Sequence, residues 1–340
     1  LGGGAFFTNT SIDQFNMINS IFKQNFAMAP TSSLNGGALG IYSKSLTSLR
    51  WSNINIIENI AYNSSSGGLY LSVEKNGESS EISIYFDSCK MFNNRAKYKG
   101  GFSHCSLKSY VTGFSQLKMS IYKSDFVNNT SDEDSGGALH IYNRLNKETG
   151  NSAILNVMLS SFISNSAKRH AGGICFESSN SDANVTIQDS NFFNNTAKSD
   201  AGAVSFRVLG GDHNAIKVFL NILNLTLVFN QIKSSGSYKG SGGGINFFTG
   251  RKLESVMIRM HLLNITNNKA EGNGAGLAIY VPSRVTSIEI SRADFIHNEA
   301  GKTGLGGAVY IFINDEESPQ SSSISPYTKH SNVIPFRVHL

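Results

Sequence analysis

Charged residues make up only 16% of the 340 residues, cysteines number three, and nowhere do eighteen apolar residues run together. Each shortage removes a class of protein. Twenty-nine basic against twenty-four acidic side chains leave a formal charge of +5. That is too dilute for a nucleic-acid footprint, and no stripe of Lys and Arg with interleaved aromatics occurs. Without a long apolar run, no segment is a candidate membrane-spanning helix. Cys89, Cys105 and Cys175 form no disulfide framework, and no CxxC or Cys/His cluster has zinc-site spacing. Apolar residues at i, i+3 and i+4 are also lacking, so no helix is expected.

What the chain has instead is repetition. Nine times a large apolar residue is followed three positions later by Asn and usually, two further on, by Ala. The Asn residues are Asn25, Asn59, Asn94, Asn129, Asn165, Asn195, Asn230, Asn268 and Asn298. After each comes a glycine-rich pair, as at Gly36-Gly37, Gly136-Gly137 and Gly306-Gly307, and then an alternating apolar run such as Leu139 and Ile141. Seven and five residues before each large apolar residue stand two more, for example Phe15 and Met17, Leu49 and Trp51, Ile84 and Phe86. Alternation with period two marks short strands with one buried face, three to a repeat.

Three short strands around a closed apolar interior describe one coil of a parallel β-helix. Nine to ten coils at about 4.8 Å each give a rod of roughly 45 Å. In such a stack the Asn column is expected at a tight turn. Each Asn would take a left-handed backbone conformation and bond through its side chain to the next coil, forming a ladder. The glycines suit a second corner, needing positive φ or close backbone approach. Three copies, Gly67-Gly68-Leu69, Gly100-Gly101-Phe102 and Gly172-Gly173-Ile174, lack the usual Ala, so the alternation there is expected to slip by one residue.

This combination of Gly36-Gly37-Ala38-Leu39, Gly136-Gly137-Ala138-Leu139 and Gly306-Gly307-Ala308-Val309 with Phe126-Val127-Asn128-Asn129 and Phe162-Ile163-Ser164-Asn165 resembles the polymorphic outer membrane protein repeat. That repeat, combining GGA(I/L/V) with FxxN, occurs in chlamydial autotransporters and in eukaryotic surface proteins of the same right-handed type. The resemblance implies an all-β, right-handed single-stranded parallel β-helix and an extracellular or cell-surface location. The array is expected over residues 1–313, followed by a polar linker at 314–332 and the first strand of a further coil at 333–340. Because Leu1-Gly2-Gly3-Gly4 begins in mid-repeat, with no initiator Met or signal peptide, the chain reads as a fragment. Caps and any membrane anchor are then expected outside it.

Candidate sites are few. Eight N-x-S/T sequons occur, no more than chance gives for this composition. Asn129 belongs to the ladder, whereas Asn128 and Asn194, each one residue before it, are the candidate glycosylation positions. His104 and His140 stand fourth from the start of their glycine pairs on consecutive coils. They are expected to form an exposed stack without function, or else a metal or catalytic pair. Cys89 and Cys105 are small core thiols, or pair within a coil if the compartment is oxidising. Asp132, Glu133 and Asp134 form either a solvated acidic turn or a weak cation site. Asp125 and Asp294 share a column but lie five coils apart, about 24 Å, too far for paired-carboxylate chemistry. Tyr42, Tyr142, Tyr280 and Tyr310 are expected along one edge of the rod, either packed or as a contact surface. Trp51, the single tryptophan, should be buried between coils.

No residue is assigned as catalytic, cofactor-binding or metal-ligating. Three function classes follow: an adhesive or ligand-displaying rod, a carbohydrate-binding module, and a polysaccharide lyase or hydrolase. The first is favoured, because what is regular lies inside while the outer turns vary.

Overall fold

A computed structural model describes residues 6–8, 13–28, 36–75, 80–109, 115–145, 151–209, 216–233, 240–250, 253–282, 286–314 and 336–339. All regular structure in it is β, with every pairing parallel, in three stacked sheets of ten, fifteen and nine strands. The ten-stranded sheet follows the glycine corners, from Phe6–Thr8 to Val309–Asn314. The fifteen-stranded sheet carries the apolar-x-apolar pairs and the large apolar residues. The nine-stranded sheet, from Phe26–Met28 to Glu299–Ala300, holds the alanines. Together they enclose one continuous apolar core. The chain is a parallel β-helix with three strands per turn.

About seven turns are sandwiched between neighbours, fewer than the nine to ten expected. Asn59, Asn94, Asn129, Asn165, Asn195, Asn230 and Asn268 are fully buried, while Asn25 and Asn298 are half-buried in the end coils. At the N-terminal face of the described stack, Ile18, Ile21, Phe26 and Met28 are exposed. The linker expected at 314–332 falls almost wholly outside the described residues. The strand Phe336–His339 pairs parallel to Thr286–Ile296.

Two corners of each coil are made by non-glycine residues with positive φ, always five apart: Asn19 and Gln24, Lys123 and Asn128, Leu159 and Ser164, Arg292 and His297. The second of each pair immediately precedes the ladder Asn. The left-handed residue is therefore Gln24, Glu58, Asn93, Asn128, Ser164, Asn194, Phe229, Asn267 or His297, and not the ladder Asn as expected. The reason is the division of labour at the turn. One residue reverses the backbone and points outward, which frees the next side chain to turn inward and bond along the axis.

The glycine corner also splits into two roles. Gly136 has φ +71°, whereas a Cβ on Gly137 would stand 2.2 Å from the Gly172 carbonyl oxygen of the next coil. In register, that second place is held by Gly37, Gly67, Gly101, Gly137, Gly172, Gly202, Gly243 and Gly307, with Ala275 the exception. Aligned so, Ser66 and Ala171 take the left-handed place, and Gly67-Gly68 and Gly172-Gly173 start one position late. The expected slip of alternation does not occur. Leu39 pairs with Leu69, Leu69 with Ser103 and Leu139 with Ile174, so inward and outward faces persist. Phe102, one position before Ser103, fills the core there and packs against Phe86 and Phe126.

Candidate functional site

The Asn column is continuous. Each ladder Asn donates its backbone N–H and its Nδ2 to the Oδ1 of the Asn one coil on, as Asn129 does to Asn165 at 3.0 Å for both bonds. Nδ2 also donates to the carbonyl of the large apolar residue one coil back, as Asn165 does to Phe126 at 2.9 Å. The row runs from Asn25 to Asn298. Every amide in it is consumed by the fold, which leaves none for a ligand. Beside it Phe126, Phe162 and Phe192 stack face to face at 4.5 and 4.6 Å. A shorter serine row, Ser124, Ser160 and Ser190, bonds coil to coil in the same manner. Asn128 and Asn194 are exposed, and Asn194 Nδ2 donates to Ser164 Oγ at 3.1 Å.

A different column holds the chemically unusual residues. The first outward position after the glycine corner reads Tyr70, His104, His140, Cys175 and Ser205 on consecutive coils. Outward residues of a solenoid normally face water, yet these are 0 to 5% exposed. The turn that enters the glycine corner folds back over them. Ser66 and Ser135 in that turn are buried, and Ser66 Oγ accepts the His104 N–H at 2.6 Å. The histidine stack is present but buried, because this cover was invisible in a linear alternation.

His104 and His140 lie with ring centroids 4.8 Å apart and Nδ1 facing Nδ1 at 2.7 Å. One of the two nitrogens carries the shared proton. Burial, then His140, Lys99 and Lys108, push His104 well below the ordinary histidine range, so that ring is neutral. His140 Nε2 points to Glu177 Oε2 at 3.6 Å, and Cys175 Sγ lies 3.9 Å from Glu177 Oε1. Burial holds the Cys175 thiol protonated, well above its usual range. Burial opposes ionisation of Glu177 as well. The hydrogen bond and charge of His140, together with Arg207 and Lys99, nevertheless bring its carboxyl down to about 2. Arg207 completes the edge: Nε stands 3.8 Å from Glu177 Oε1, and Nη1 lies 2.9 Å from His170 Nε2. His170 Nδ1 faces Asp200 Oδ2 at 3.3 Å, although the angle there makes no hydrogen bond and the nitrogen is otherwise unpartnered.

An imidazole, a thiol and a carboxylate thus converge from two adjacent coils. Thirty-five residues separate His140 from Cys175, one full turn. Linear motif spacing misses such a set, and only aligning columns coil by coil reveals it.

The other sequence candidates are dispersed or already engaged. Asp132 pairs with Arg95 at 2.8 Å and Asp134 faces Arg169 at 3.8 Å, which makes an ion-paired turn rather than a cluster of free carboxylates. Asp125 and Asp294 remain on separate coils, joined only through intervening pairs in the same column. Tyr42, Tyr142 and Tyr280 share one outward column, but Tyr310 stands in the neighbouring one, paired with Ala278. All three cysteines are free and buried. Cys89 and Cys105 belong to the apolar core, Cys175 to a small outer cluster with Ala171 and Ala201. Along the outer face of the nine-stranded sheet runs an open groove of about 470 Å³, lined by Tyr62, Asn63, Arg95, Lys97, Asp132, Glu133 and Lys168 among others. No protein-family model, curated protein or solved structure matches this chain.

Proposed function

We propose that this protein is a non-enzymatic extracellular or cell-surface β-helical rod that displays loops for adhesion or ligand binding. The observation that carries this reading is where the chain varies. Between the fifteen- and nine-stranded sheets every connection is two residues long, as at 24–25 and 58–59. Between the ten- and fifteen-stranded sheets it ranges from residues 180–181 in one coil to residues 315–335 in another. The glycine corner, between the nine- and ten-stranded sheets, also varies, from residues 63–68 to residues 233–244. Length variation at the two corners flanking the ten-stranded sheet, on a stack whose third corner is fixed, supports a surface carried on a scaffold. Replacing residues 146–150 and 210–215 with two-residue turns should leave thermal stability nearly unchanged while abolishing binding to the cognate surface. Loss of the fold in such variants would refute the scaffold argument.

A carbohydrate ligand is the second reading, favoured by the groove beside Tyr62, Arg95 and Lys97. Its open lining, which sets charged side chains beside the Tyr62 ring, fits a chain of hydroxyl or carboxylate groups. A glycan array in which wild type binds and Lys97→Ala does not is the direct check. Turnover of pectic, alginate or glycosaminoglycan substrates, with or without calcium, would overturn the non-enzymatic reading.

A further inference from the structure

We propose that His140, Cys175 and Glu177 form a binding site for one zinc-class divalent cation. Around a tetrahedral ion with bonds of about 2.0–2.3 Å, neighbouring ligand atoms stand roughly 3.4–3.7 Å apart. The Nε2–Oε2 separation of 3.6 Å is already such an edge, the other carboxylate oxygen lies 3.9 Å from Sγ, and one ligand atom from each residue lies within 4.8 Å of the others. Closing the set to those edges takes a contraction of up to about 1 Å, for which the partly exposed Glu177 side chain has room, whereas His140 and Cys175 are 1 and 0% exposed and held by the sheet.

The surroundings suit a metal more than a chance contact. A metal-binding imidazole needs its second nitrogen engaged, and His140 Nδ1 faces Nδ1 of His104. With Nδ1 turned to His104, Nε2 is the His140 nitrogen that faces Glu177. Arg207 approaches Oε1 and leaves Oε2 free on the His140 side. On binding, the Cys175 S–H bond breaks and its electron pair forms the metal–sulfur bond. The proton leaves to solvent past Glu177, and no oxidation is involved. Thiolate, imidazole and carboxylate together select zinc-class ions over calcium or magnesium. Three protein ligands leave the fourth position to water or an exogenous donor. His104 is a positioning residue and not a ligand.

The test uses Co²⁺ as a spectroscopic probe, added to the full chain after reduction and removal of metal. The expected result is a thiolate-to-cobalt charge-transfer band saturating at about one ion per chain, accompanied by a rise in Tm. Cys105→Ser should keep the band, because that thiol faces the core. Cys175→Ser and Cys175→Ala should both lose it. Alanine fits beside Ala171 and Ala201, so the second variant keeps the test valid if serine perturbs the fold. His104→Ala should retain the band with affinity weakened about 10- to 100-fold, the signature of an orienting residue. Absence of a thiolate band in the wild type, or its persistence in Cys175→Ala, overturns the proposal. Neither result bears on the display-rod reading.

Discussion

Replacing Asn165 by Ala probes the bonding that joins one coil to the next. Four hydrogen bonds disappear with its side chain: two accepted from Asn129, one donated to Phe126 and one to Asn195. The site is fully buried, so the Asn129 N–H and the Phe126 carbonyl lose partners that water cannot replace. At about 1 kcal/mol net per bond the loss comes to roughly 4 kcal/mol, above the 1–3 kcal/mol of a single orphaned group. Asn298→Ala, at the half-buried end of the row, should cost about half as much. Asn128→Ala alters only an exposed left-handed turn and should cost about 1 kcal/mol. Repeat arrays need not unfold in one step, so coil-resolved hydrogen exchange is the appropriate assay. Protection should fall most at the amides of Asn129 and its neighbours on the flanking coils. If Asn165→Ala lost no more protection than Asn128→Ala, the ladder would not carry the axial cohesion assigned to it.

Trp51 is fully buried against Phe86, yet its indole N–H has no partner. Trp51→Ala should therefore cost about 3–5 kcal/mol and Trp51→Phe far less, as chemical denaturation would show. Gly137→Ala forces a methyl onto the Gly172 carbonyl and should lower stability by about 1–3 kcal/mol. Gly173→Ala should cost less, because Ala138 and Ala203 occupy the equivalent place; thermal melts of the two variants test the contrast. In a glycosylating host, peptide mapping should find glycan on Asn128 or Asn194 and none on buried Asn129. The Glu177 carboxyl sits below its ordinary value of 4.5, at about 2, so its stabilisation is full above 4.5 and fades as pH falls towards 2. Glu177→Gln should flatten that part of the stability–pH curve, and an unchanged curve would remove the ion pair from consideration.

The fold was legible because its determinants are local and repeated. Large apolar residue, Asn and Ala recur at fixed offsets, and each offset corresponds to a strand face or corner. The left-handed position was misassigned for a definite reason. Asn at the ladder and residues as different as Gln24, Ser164 and Phe229 just before it give no compositional hint of which one reverses the chain. The His–Cys–Glu cluster stayed hidden for another. Its members are neighbours only once coils are stacked, and its burial depends on a turn folding over an outward face. Sequence alternation reports which side of a strand a residue takes and carries no information about what covers that side.

Along the ladder each coil meets the next through the same three atoms, an Asn oxygen and the two amide donors of its predecessor. The joint is therefore indifferent to which coil supplies it. Removing residues 130–165 would connect Asn129 directly to Ser166, which already pairs with Thr130 across the sheet, and the row of amides would close up without a gap. Recombination between repeats can then lengthen or shorten the rod in whole-coil steps while leaving each remaining joint unchanged. Copy number becomes a heritable quantity that selection can adjust independently of the loops the coils carry.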